Sequence, residues 1–100
     1  MLPRIGIMSD EPEQLDLLSQ DIESILSFFI GLTSTKALQY LGISVDEGIE
    51  HEKDLDRARI SIDVVGVLVE KLMPFTNDEE KAQLKQIVSN LQFAFLRESN

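Results

Sequence analysis

The chain has no cysteine and a single histidine, His51, and its five glycines form no phosphate-binding loop. Without cysteine there is no disulfide, no thiolate nucleophile and no zinc knuckle. With one histidine and no serine nucleophile elbow, the familiar hydrolase constellations have no members to draw on. Basic residues are also scarce: nine Lys and Arg against eighteen Asp and Glu give a net charge of −9. Direct binding to a nucleic-acid backbone needs a basic face, so that class is disfavoured; the acidity itself serves solubility. No uninterrupted apolar run approaches the about 20 residues of a membrane span. Met1 to Asp10 carries one arginine and then breaks into Ser-Asp-Glu-Pro, which predicts no secretory signal and a cytoplasmic location.

What is present is oily helical sequence. One hundred residues make one domain that buries about 65% of its unfolded surface, enough for a single modest core. The stretch Asp56–Leu72 organises the rest. Ala58, Ile62, Val65, Val69 and Leu72 recur at spacings of four, three, four and three, one stripe of a helix that Leu55 and Leu68 widen. Arg59, Asp63, Glu70 and Asp56 fall on the other side, with Arg59 spaced to reach Asp63 and Asp56. Ile60, Val64 and Val67 make a second apolar strip beside Lys71. Two apolar sides predict a central helix with something packed on each. The rival is a strand, since Ile60 to Val69 is rich in β-branched residues and alternates at its start. Its length favours the helix. Gly66, unfavourable in a helix interior by about 1 kcal/mol, suggests close approach of a neighbouring helix.

Residues 1–20 read as a flexible or partly helical leader, in which Asp10 with Glu13 is spaced to cap a short helix over Leu15, Leu17 and Leu18. The domain proper spans 21–98. Its first helix runs from about 21 to 41, with Ile22, Ile25, Leu26, Phe29, Leu32, Ala37 and Tyr40/Leu41 at helical spacing and Gly42 as the stop. Phe28, Ile30 and Leu38 lie off that stripe, so the helix is apolar around most of its girth. Ser27, Gly31 and Thr35 form a row of small residues suited to close helix approach. The connection 42–54 holds Asp46, Glu47, Glu50, Glu52 and Asp54. Fitting Gly48 to the sixth position of a calcium loop puts Ile43 and Val45 at ligand positions, so that reading fails. His51 there reads as a solvated loop histidine.

The second helix covers about 54–73 and ends at Pro74. Thr76-Asn-Asp-Glu79 reads as a capping box for a third helix, about 77–97, with Leu84, Ile87, Val88, Leu91, Ala94 and Phe95 on one face. Phe93 and Leu96 fall partly outside it. The expectation is an all-α, three-helix bundle.

A resemblance emerges from these blocks in their order. Phe29 and Leu32, Ala37-Leu38-Gln39-Tyr40-Leu41-Gly42, Ala58-Arg59, Ile62-Asp63, Leu68-Val69-Glu70-Lys71, Thr76 to Glu80 and Leu91 resemble the small bacterial family known as domain of unknown function 1844. The likeness covers about Ser27 to Phe95 and leaves the first 20 residues outside. Val64-Val65-Gly66-Val67 departs from it, where longer aliphatics such as Leu and Met are expected. The resemblance implies three helices and a bacterial cytoplasmic protein, and it implies no activity, cofactor or site residue.

Three function classes follow. The first is a non-catalytic module that associates with itself, as a homodimer or higher, or with another protein. One small bundle cannot enclose all of this apolar surface, and burying each large side chain is worth roughly 1.5–3 kcal/mol. Its candidate interface residues are Phe28, Phe29, Leu32, Ile60, Val64, Val67 and Phe93. The second is peripheral membrane association through the first helix, which its lack of Lys and Arg other than Lys36 disfavours. The third is an accessory of the translation apparatus acting through protein contacts. An enzyme is not expected: Asp63 and Glu70 stand two turns apart on a polar face and read as solvated. No catalytic residue, cofactor or metal is assigned.

Overall fold

The computed structural model of the chain describes residues 17–43 and 52–100. The proposed cap at Asp10 and Glu13, and the loop acids Asp46, Glu47 and Glu50 with His51, lie outside them. Three helices follow in order: α1, Ile22–Tyr40; α2, Leu55–Leu72; and α3, Asp78–Ser99, with a 3-10 turn at Met73–Phe75 before α3. The rival strand is overturned: Ile60 to Val69 is helical, and there is no strand among the described residues.

Each helix end has a local chemical cause. α1 stops where Gly42 takes φ +83°, a conformation open to glycine at little cost. The Ile43 N–H then donates to the Leu38 carbonyl and the Gly42 N–H to the Gln39 carbonyl, both at 2.9 Å, which closes a Schellman motif. The Asp54 N–H donates to the Tyr40 carbonyl at 2.7 Å, so the start of α2 is fastened directly to the end of α1. Asp54 caps α2 by accepting from the Arg57 N–H at 3.0 Å. Pro74 lies in the 3-10 turn, where the chain leaves the α-helical hydrogen-bond ladder.

The cap of α3 sits one residue later than Thr76 and Glu79 predict. Asn77 is the N-cap; its side chain accepts from the Glu80 N–H at 2.8 Å, while the Glu80 carboxylate accepts from the Asn77 N–H at 3.0 Å. Thr76 is otherwise engaged. Its hydroxyl donates to the Met73 carbonyl at 2.7 Å, the same oxygen that accepts the Thr76 backbone N–H at 3.1 Å.

α2 is the middle helix, packed on α1 along much of its length and on α3 on another side, while α1 and α3 scarcely meet. Its buried residues are Ala58, Ile62, Val65, Val69 and Leu72, the stripe read from the sequence, with Leu55 and Leu68 packed against them. α3 contributes Leu91 and Ala94 to the core, with Leu84, Ile87, Val88 and Phe95 partly buried.

α1 turns a different side inward than its longest apolar spacing suggests. Ile30, Ala37 and Leu41 are buried, whereas Ile22, Phe29 and Leu32 are exposed. With apolar residues around most of its girth, this helix is oriented by its partner: Ala37 is small enough to let α2 come close, and Ile30 lies two turns before it on the same side.

Two other expectations are corrected. Arg59 makes no ion pair with Asp56 or Asp63; among the described residues the ion pairs are Lys53–Glu98, Arg57–Asp54 and Arg97–Glu98. The expected close helix approach is also missing, because a Cβ built on Gly31 or on Gly66 meets no atom within 4 Å.

Candidate interaction surface

Half-turn alternation along α2 creates the surface. Val65 and Val69 point into the core, so Ile60, Val64 and Val67 fall on the opposite side of the same helix and are exposed. Neither α1 nor α3 reaches around α2 to cover them. Arg57 and Lys71 continue the strip at its two ends, and Asp56, Asp63 and Glu70 run alongside it, all exposed.

On α1 the exposed residues are Ile22, Phe28, Phe29 and Leu32. The rings of Phe28 and Phe29 pack against each other with centroids 5.8 Å apart and planes at 60°, a tilted pair that fixes their orientation. Two turns further on, the Lys36 ammonium lies 4.7 Å from the centre of the Tyr40 ring and donates to the Gln39 side-chain oxygen at 3.2 Å. That lysine is the one cation among the described residues of α1.

All seven residues singled out from the sequence are exposed, from Phe29 at 40% to Phe93 at 70%. The structure brings them together unevenly. Ile60, Val64 and Val67 form one strip, and Phe28 touches Phe29. Phe93 stands apart, on the side of α3 turned away from Leu91 and Ala94 and hence away from α2. Leu18, Ile22, Phe75 and Leu96 are exposed as well and are not among the seven. Leu96 had a signal in its position off the buried face of α3; Phe75 had none beyond its place after Pro74. Leu96 and Phe95 also line an open groove between α2 and α3, together with Ile62, Arg59, Asp63 and Gln92.

Electrostatic perturbation is concentrated at the start of α2, where it includes Arg57 at one end of the strip, and at the end of α3. The Arg57 backbone N–H and then its guanidinium hold the Asp54 carboxyl below the usual range, and Asp54 in turn raises Arg57. Lys53 donates to the Glu98 carboxylate at 3.1 Å and to its backbone carbonyl at 3.3 Å, and so keeps the Glu98 carboxyl low. These contacts fasten helix ends. Among the described residues no three His, Asp or Glu side chains gather as a metal site, and no helix is long and apolar enough to cross a membrane.

The family model described as domain of unknown function (DUF1844) matches residues 23–97, which takes in all of α2 and nearly all of α1 and α3. The chain belongs to the DUF1844 family. The match begins inside α1 and ends near the last turn of α3, so the family unit is the three-helix arrangement itself. The DUF1844 description carries no activity. No curated protein and no solved structure matches the chain.

Proposed function

We propose that the chain is a non-catalytic helical module of the cytoplasm that associates with itself through the exposed apolar sides of α1 and α2. One observation carries the reading: among the described residues eleven large hydrophobic side chains are exposed, more than the ten residues that make up the buried core. Scattered exposed leucines are ordinary, but here three lie in one strip on α2 and four on α1.

Magnitudes indicate how much of this surface is needed. Ile60, Val64 and Val67 are each about half exposed, so covering them returns about 1 kcal/mol apiece, or about 6 kcal/mol over two copies. Lost translational and rotational freedom alone costs about 4–15 kcal/mol. The α2 strip is therefore marginal by itself, and Phe28, Phe29 and Leu32 are the residues able to add the remainder. A two-fold dimer is the commonest way for one surface to cover itself.

Aspartate scanning tests this reading. Phe29→Asp and Val64→Asp place a charge on the proposed interface, at two positions that are themselves exposed. Both should keep their helical circular dichroism while the mass in solution falls to that of one chain. Unchanged mass in both variants would contradict the assignment of the surface.

A further inference from the structure

The exposed side of α2 has a longer pattern than its three apolar residues. Arg57, Ile60, Val64, Val67 and Lys71 recur at spacings of three, four, three and four, and all five are exposed. That is the 3.5-residue repeat of a coiled-coil seam about 21 Å long. One position before each of Arg57, Val64 and Lys71 stands an acid: Asp56, Asp63 and Glu70, seven apart and exposed. The other flank, Ser61 and Leu68, is partly buried. One edge of the seam is thus uniformly acidic, and the seam is cationic at both ends.

This charge pattern distinguishes the two ways in which α2 can pair with α2 of a second copy. In an antiparallel pair the two-fold axis crosses the helices, and each flank faces its own kind. The acidic rows then oppose each other, and the Arg57 end approaches the partner's Lys71 end. In a parallel pair the two-fold axis runs along the helices and the flanks exchange sides. Arg57, whose guanidinium already donates to Asp54 of its own chain at 2.8 Å, then lies beside the partner's Asp56 as a second acid, and Lys71 beside the partner's Glu70, so both cations meet an acid across the axis. A cation within an otherwise apolar seam is itself a known determinant of register and oligomer state.

We infer that the second copy docks on the Arg57–Lys71 seam with the two α2 helices parallel, closed by Arg57–Asp56 and Lys71–Glu70 pairs across the two-fold axis. The inference rests on the self-association proposed above. It adds a direction, a register and a charge code to that reading.

The absence of cysteine makes the direction readable. Ile60→Cys and Val67→Cys are exposed substitutions, and seam residues at equal heights in a parallel pair lie about 5.5–6 Å apart between Cα atoms, within disulfide reach. Under mild oxidation each variant alone should form a covalent dimer. If neither cross-links to itself but a mixture of the two does, the helices are antiparallel and the proposal is overturned. Covalent dimers in no combination would overturn it too. Sedimentation of the unmodified chain separates the two levels: a monomer removes self-association altogether, while a dimer without the like-to-like cross-links removes this arrangement alone. As a second readout, Lys71→Glu should weaken association roughly tenfold, through two symmetry-related pairs, and the swap Glu70→Lys/Lys71→Glu should restore it. Equal affinity in all three chains would contradict the charge code.

Discussion

Val64 and Val65 are neighbours with opposite surroundings: Val65 is fully buried at the centre of the core, and Val64 is 42% exposed on the far side of the same helix. The pair separates the two roles of α2. Val65→Ala removes buried methyl groups between packed helices and should lower unfolding stability by about 1–3 kcal/mol in a denaturant titration of the dissociated chain. Val64→Ala should change that stability by less than about 0.5 kcal/mol and instead weaken association.

Glycine substitutions should split by backbone geometry. Gly31 and Gly66 lie inside helices with open space around them, so Gly31→Ala and Gly66→Ala should each stabilise the dissociated chain by about 0.5–1 kcal/mol. Gly42 has φ +83°, and Gly42→Ala should destabilise by about 1 kcal/mol. Thermal melts of the three variants at low concentration check both signs. A destabilised Gly66→Ala would mean that another helix does seat against that position.

Ser34 carries an unsatisfied group. Its hydroxyl oxygen is buried with no hydrogen-bond partner, on the side of α1 that also holds Ile30, Ala37 and Leu41. Ser34→Ala removes the desolvated hydroxyl and adds helix propensity, and should raise stability by about 1 kcal/mol by chemical denaturation.

The Lys53–Glu98 contact should make stability depend on pH in the acid range. Lys53 lowers the Glu98 carboxyl in the folded chain, so the unfolded chain takes up that proton first as pH falls. The contribution is complete above the unfolded value of about 4.3 and disappears as pH drops through the lower folded value. Wild type should therefore be more stable than Glu98→Gln at pH 7, with the gap closing below about pH 4. A gap that stays constant with pH would place the effect elsewhere.

These outcomes follow from how much of the molecule its sequence makes legible. The inner stripe of α2 is readable because Ala58, Ile62, Val65, Val69 and Leu72 keep helical spacing and have polar residues on one flank. α1 is readable as a helix but not in its rotation. A helix that carries Ile22, Ile25, Phe28, Phe29, Ile30 and Leu32 around most of its girth leaves its inward side open, so packing on α2 decides that Ile30 goes in and Phe29 stays out. The cap of α3 slips by one residue because Thr76-Asn77-Asp78-Glu79-Glu80 contains two overlapping boxes. Thr76 is drawn off by the Met73 carbonyl, which a sequence pattern does not reveal. Excess apolar content marks that some large side chains stay uncovered but does not select them: Ile22, Phe75 and Leu96 are exposed too, and Ile30 is buried. The separation of Phe93 from the rest depends on where α3 sits.

Sedimentation equilibrium of the unmodified chain at micromolar concentrations bears most directly on the central claim, that this apolar surface is covered by a second copy. A self-associating chain gives a mass of twice 11.3 kDa or more, falling toward one chain on dilution. A single 11.3 kDa species across the whole concentration range would contradict it.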